Sequence, residues 1–461
     1  MSKKVFVIGL DCLTPQYFLD EYLDSLPYTR ALLKRSVWGR MRSTIPPITC
    51  PAWACMMTGK DPGTLGIYGF KTRPDYTYRQ PVLPTSAFVK ERTIWDIIGE
   101  KGKKSIVVAV PPSFPPKKIN GIMISCFLTP DASLDYAYPP EIKSEIEHNI
   151  GGYMIDVENF RTEEKDALLK QIYSLSENKF RIAEYLMERK KWDYFMFVDM
   201  GPDRIHHGFW KYFDKTHNKY VSGNKYENSL RDYYSFLDGK IRSLAERLDD
   251  DTTVLVVSDH GAKKIDGGFC INEWLIKKGY LKLKEYPKEP TKLAMSMVDW
   301  KNTKAWGEGG YYARVFFNVK GREPEGNIEE KDYGKFADQI TRELKDIKYI
   351  NSDADKTVVY RAEELYKEVK GIPPDLFVFL GDLYWRSIGS VGYKDIFTPE
   401  NDTGPDDANH NYEGVFIMHD KTMKEGRRLD NISIYDVAPT VLENMGFDVP
   451  SDMKGKVLYG A

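Results

Sequence analysis

An α/β fold, with a mostly parallel sheet covered by helices on both faces, is predicted by three observations. Short apolar runs recur along the chain, helical stretches separate several of them, and the runs end sharply at Gly, Pro or Asp. The runs are "KKVFVIGLD" (3–11), "KSIVVAVPP" (104–112), "WDYFMFVDMG" (192–201), "DTTVLVVSDHG" (251–261) and "DLFVFLGD" (375–382). Apolar stretches of about four to seven residues bounded by such breakers read as strands buried on both faces. Strand alternating with helix is the pattern of a parallel sheet.

The first run has the look of a dinucleotide-binding strand. Its fingerprint fails, however, because G-x-G-x-x-G needs a glycine two residues after Gly9 and Asp11 stands there. The next segment, "STIPPITCPAWACMMTGKDPGTLGIYGF" (43–70), places Thr49 and Cys50 before Pro51 and a run able to start a helix, then leaves through Gly and Pro. A hydroxyl at a helix N-terminus faces oriented N–H groups, which favour an anion in front of it. Beside a metal ion, Thr49 could ionise and attack phosphorus.

Helices are expected at "RTIWDIIGEKGK" (92–103) and "LLKQIYSLSENKFRIAEYLMERKK" (168–191), where apolar residues recur at three- and four-residue steps. Residues 112–165 are proline-rich with little periodicity. Within 280–370, "YYARVFFNVKGREPEGN" reads as a hairpin or edge strand with a Gly/Pro turn, followed by the helical "EKDYGKFADQITRELKDI". Both regions are expected to be insertions forming cap or substrate-specificity elements on a single catalytic domain spanning 1–461.

The bulk properties exclude several classes of function. Net charge is -2, from 66 basic and 68 acidic residues, so there is no basic footprint for nucleic acid. No apolar stretch is long enough for a membrane span, and only "SKK" separates Met1 from the first strand, so a cytoplasmic protein is expected. The five cysteines form no CxxC pair, which argues against a disulfide framework or a thiolate zinc site.

In open parallel sheets ligands sit beyond the carboxyl ends of the strands. Those ends read Asp11, "DMGPDRIHHG" with Asp199 and Asp203, and "SDHG" with Asp259 and His260. Only seven histidines exist, and His206, His207, His260 and His410 all lie in Asp/Gly-rich loops. Carboxylate and imidazole at several strand ends form the ligand set expected for zinc or manganese.

The ordered set "VIGLD", "TxPAWxxMxTGxxPGxxGI", "DxxxH", "SDHG" and a late His-bearing loop resembles the alkaline phosphatase superfamily, in its type I phosphodiesterase/nucleotide pyrophosphatase-like branch. "NVKGREPEG", "PDLFVFLGDLYWRSIGSVG" and the tail "ISIYDVAPTVLENMGFDVPSDMKGKVL" resemble the prokaryotic alkaline-phosphatase-like phosphohydrolase/phosphomutase proteins. The resemblance implies an alkaline-phosphatase-like three-layer sandwich and two divalent metal ions, usually zinc and in some branches manganese. Carried over, one ion would be held by Asp11, Asp259 and His260 with the nucleophile Thr49, and the other by Asp203, His207 and His410. The D-x-x-x-H spacing selects His207, with His206 as the alternative.

Sulfatases of the superfamily need a modifiable Cys or Ser in C/S-x-P-x-R. Here Thr49 takes that place and Trp53 replaces the arginine, which disfavours a sulfatase. The implied reaction is hydrolysis of a small-molecule phosphate ester, with phosphodiester, pyrophosphate and nucleotide-type substrates expected. A phosphomutase or phosphomonoesterase on the same site is the alternative, and a non-enzymatic metal-binding scaffold a third reading. Trp53 and Lys60 are the expected substrate contacts. The diester expectation rests on the helix after Thr49, which offers no arginine to clamp the extra charge of a monoester.

Overall fold

The computed structural model describes residues 3–350 and 356–458, so residues 351–355 of the segment expected as a second insertion lie outside it. A ten-stranded sheet forms the centre of the described residues. Its middle is parallel: Thr252–Val257, Lys4–Leu10, Tyr194–Asp199, Ser105–Val108 and Gly121–Ile124 lie side by side in one direction. The Glu413–His419 strand adds antiparallel to Thr252–Val257 and carries Val37–Arg42 on its other edge.

Periodicity explains why these runs are central. Val5, Phe6, Val7, Ile8 and Leu10 are all fully buried, so successive side chains on opposite faces both meet core. The Lys165–Arg189 helix packs on the Tyr194–Asp199 strand and buries Leu168, Ile172, Leu175, Phe180, Ala183 and Leu186, one stripe of its surface.

Two expectations from sequence are corrected. The run 375–382 does not join the central sheet. Its strand, Leu376–Phe379, sits in a separate four-stranded antiparallel sheet with Ala305–Glu308, Ala313–Phe317 and Val358–Tyr360. A strand buried on both faces reads the same in either sheet, because the Tyr333–Lys345 helix supplies the apolar cover here through Phe336, Ala337, Ile340 and Leu344. Second, the proline-rich 112–165 segment is not all insertion. It gives the central sheet its Gly121–Ile124 and Ala137–Tyr138 strands, which are too short to show a period.

One buried lysine has a measurable consequence. The Lys179 ammonium is fully buried, donates to the Met154 carbonyl and lies 3.7 Å from the Tyr153 ring centroid. Burial lowers its pKa to about 7. Its unfolded-state value is about 10.4, so between these limits the unfolded chain binds the extra proton and stability rises with pH. Lys179→Met removes this contribution. Thermal unfolding of the wild type relative to that variant is expected to improve from pH 7 towards pH 10, and a pH-independent difference would contradict it.

Candidate active site

The carboxyl ends of the parallel strands deliver the first groups. Asp11 follows the Lys4–Leu10 strand, and Asp259 and His260 follow Thr252–Val257. The Gly201–Phe213 helix starts just beyond Tyr194–Asp199 and presents Asp203 and His207 one turn apart on one face. His410 lies in the Ala408–Asn411 strand, which pairs with Gly261–Lys264 immediately after His260. Thr49 is the first residue of the Thr49–Thr58 helix. Its hydroxyl stands 3.3 Å from His260 Nε2.

The imidazoles share one orientation. Nδ1 of His207 is held by Asp406 Oδ1 at 2.7 Å, Nδ1 of His260 by the Gly261 carbonyl at 3.1 Å, and Nδ1 of His410 by the Pro47 carbonyl at 2.8 Å. Anchoring Nδ1 turns Nε2 inward in all three, the second-partner arrangement typical of metal-binding histidines. Among the described residues, His207 Nε2, His410 Nε2, Asp11 Oδ1 and Asp259 Oδ2 are buried without a hydrogen-bond partner.

These atoms gather in two groups that meet at His260. Asp11, Asp259 and His260 bring donor atoms within 4.8 Å of one another, and so do Asp203, His260 and His410. His207 Nε2 adjoins the second group, 3.2 Å from Asp203 Oδ1. His206 turns away and bonds the Tyr234 hydroxyl at 2.9 Å through Nε2.

Electrostatics shows what this arrangement lacks. Burial, reinforced by the charge of Asp203, pushes Asp11 well above the usual carboxylate range, and burial with the charge of Asp11 does the same for Asp259. Burial lowers His260 to about 4. Asp203 is also buried, but His207 and Arg204 outweigh that and hold it well below the usual range. Crowded carboxylates beside inward-turned imidazoles are a poor protein interior and a good nitrogen/oxygen donor set for divalent cations.

Trp53 and Lys60 lie elsewhere than expected. The Trp53 indole is buried and donates to Asp11 Oδ2 at 2.6 Å, which leaves Oδ1 as the inward oxygen. Gly9 permits this, since a Cβ there would come within 2.8 Å of the indole edge and of the Phe197 carbonyl. Lys60 is tied to Asp452 at 2.6 Å beyond the far end of the same helix. Neither lines the cavity beside Thr49.

A cavity of about 480 Å³ is lined by Ile48, the residue before Thr49, and walled by Phe70, Phe127, Phe160 and Tyr311 with the guanidiniums of Arg161, Arg204 and Arg386. Sequence reasoning missed this wall. The Tyr311 ring stacks on His410 and His207 at centroid distances of 4.1 and 4.8 Å. Asp406 accepts from Arg161 Nε at 3.0 Å and Arg386 Nη1 at 2.7 Å while holding His207. Only the proximity of Asp406 to His410 in "PDDANH" hinted at it.

Among the described residues no helix is long and apolar enough to cross a membrane. Comparison with curated proteins gives no match. The solved structure of human ectonucleotide pyrophosphatase/phosphodiesterase 5 shares the fold at 14% identity and a TM-score of 0.58, over 98% of this chain and 97% of that one. Phosphonoacetate hydrolase from Sinorhizobium meliloti, in complex with phosphonoformate, does so at 15% identity and 0.60, over 96% of each chain. An inactive variant of the murine ectonucleotide pyrophosphatase/phosphodiesterase 5, in complex with AMP, matches at 14% identity and 0.55, over 97% of this chain and 96% of that one. The family model for type I phosphodiesterase/nucleotide pyrophosphatase matches residues 5–412. The chain therefore belongs to the type I phosphodiesterase/nucleotide pyrophosphatase family of hydrolases, within the alkaline phosphatase superfamily.

Proposed function

We propose that the protein hydrolyses phosphodiester or pyrophosphate bonds, nucleotide-type compounds among them, through a phosphothreonine formed on Thr49. The observation that carries this reading is the Thr49 hydroxyl, set at a helix N-terminus 3.3 Å from the imidazole where the two donor groups meet. Asp11, Asp259 and His260 with Thr49 would hold one divalent cation, and Asp203, His207 and His410 the other. Zinc suits these donors, and manganese is the alternative. When bound, the cations would lower the pKa of the Thr49 hydroxyl and offset charge on the phosphoryl oxygens.

Thr49 Oγ, having lost its proton, bonds to phosphorus as the ester oxygen leaves on the opposite side with its electron pair. Water then attacks the phosphothreonine, and the threonine oxygen departs and regains a proton. Asp406 holds His207 in one tautomer throughout, and the aromatic walls of the cavity offer faces on which a base can stack. The AMP complex of the murine neighbour is in keeping with a nucleotide.

A second reading is favoured by one observation. Arg204 lies against Asp203, its Nη1 2.5 Å from Oδ2, and lines the cavity. A guanidinium beside the reacting group suits the extra charge of a phosphomonoester, and transfer to a bound alcohol instead of water would make the protein a phosphomutase. The segments 112–165 and 280–370 supply Phe160, Arg161 and Tyr311 to the cavity, which supports a role for them in substrate choice. All five cysteines are buried and unpaired, which supports a reducing, cytoplasmic setting.

The test is chelation followed by reconstitution. Hydrolysis of bis(p-nitrophenyl) phosphate is expected to vanish with chelator and return with zinc or manganese, and to exceed hydrolysis of p-nitrophenyl phosphate. Faster turnover of the monoester would select the second reading, and no metal-dependent release from either would overturn both.

A further inference from the structure

The cavity beside Thr49 carries more positive charge than its own carboxylates neutralise. Most of its basic groups are engaged. Arg161 and Arg386 share Asp406, Arg204 is bound by Asp156 at 2.5 Å as well as by Asp203, and Arg314 pairs with Glu308 at 2.6 Å. Asp402, the other acidic residue of the lining, is occupied by the amide and hydroxyl of Ser390 at 3.2 and 2.8 Å.

Lys71 and Lys292 are different. Both line the same cavity, and among the described residues neither ammonium has an ion pair or a side-chain hydrogen bond. They come from separate parts of the chain. Lys71 follows the Thr49 segment, and the Arg314 guanidinium holds its backbone carbonyl at 2.5 Å. Lys292 lies next to Thr291, which bridges to Val391. The two lysines feel each other: partial desolvation and then the charge of Lys292 depress the pKa of Lys71, with Glu308 opposing them. Glu308, already paired with Arg314, offsets this only in part, and an anion between the two like charges would relieve the repulsion.

The partners of the cavity's groups divide it between a reacting end and the lysines. The reacting group belongs beside Thr49, whose neighbour Ile48 lines the cavity and whose hydroxyl meets His260. Arg161, Arg386 and Tyr311 are tied to the site's imidazoles through Asp406 and ring stacking, whereas the Lys71 segment is tied to Arg314, which pairs with Glu308. A volume of about 480 Å³ accommodates a ligand of nucleotide size.

We propose that this cavity selects phosphoesters whose non-transferred part carries a second anionic group, a phosphate or carboxylate, held by Lys71 and Lys292. This rests on the reading of Thr49 as the reacting end of the site and adds the chemical class of the substrate's remote end.

The experiment is calorimetric binding to the metal-loaded full chain, with thymidine 5′-monophosphate and thymidine 3′,5′-bisphosphate as probes. The bisphosphate is expected to bind about tenfold tighter or better, the value of one well-placed charge contact. That advantage should shrink as salt is raised, because both lysines are solvent-accessible. In the Lys71→Ala/Lys292→Ala double variant it should fall to about threefold or less. Both positions are on the surface, so the variant keeps its fold, and binding of the monophosphate serves as its check. Equal affinity of the two probes in the wild type, or an unchanged gap in the double variant, would overturn the proposal. Binding is read without turnover, so an enzyme that binds the bisphosphate preferentially but fails to hydrolyse diesters would refute the proposed reaction and leave this inference standing.

Discussion

Thr49→Ala is expected to slow hydrolysis of bis(p-nitrophenyl) phosphate by about 10³-fold or more while metal stays bound. The side chain is 1% exposed and its hydroxyl contacts His260 Nε2, so its loss removes the proposed nucleophile and little packing. Asp11, Asp259 and His260 keep their anchors on Trp53, the Cys12 amide and the Gly261 carbonyl. Metal content of purified variant and wild type, measured alongside turnover, separates loss of chemistry from loss of the site. Thr49→Ser should recover part of the rate, since the hydroxyl remains while the methyl that fixes its rotamer is gone. Retained activity in the alanine variant would remove Thr49 from the mechanism.

His410→Ala is expected to cost about one equivalent of bound metal together with activity, because it deletes one of three protein donors from a group of minimal size. The ring is stacked at 3.8 Å on His260 and 4.1 Å on Tyr311, and its Nε2 has no other partner among the described residues. The opposite group, Asp11 with Asp259 and His260, does not include it and should keep its ion. Elemental analysis of the purified variant decides the matter, and unchanged stoichiometry would place the second ion elsewhere.

The parts of the site that were legible in the sequence were those attached to strand ends. Asp11, Asp259 and His260 stood out because apolar runs stop abruptly at them, and Asp203 with His207 because they fit the D-x-x-x-H spacing of the family the chain resembles. The groups around them did not. Tyr311 arrives from the loop between the Ala305–Glu308 and Ala313–Phe317 strands of the second sheet, and Arg386 from the Trp385–Ile388 strand, and neither has a local pattern tying it to a histidine far along the chain. Trp53 misled for the reverse reason. One turn after Thr49 it was assigned to the substrate, but a buried indole N–H needs an acceptor and Asp11 supplies it. In the fold, the missed assignment of Leu376–Phe379 has the same origin, since a run of buried residues says how apolar its surroundings are and not which sheet provides them.

The Trp53–Asp11 hydrogen bond links two pieces of chain with different duties. Thr49 and Trp53 ride one turn apart on the same helix, and Asp11 ends a strand locked between two parallel neighbours. Any sliding of that helix must therefore either break a buried hydrogen bond or drag the central strand with it. Thr49, the proposed nucleophile, is thus coupled to Asp11 through one helical turn and one buried hydrogen bond. In the proposed reaction, substrate would meet a spacing already set by the core, with no loop to reorganise first.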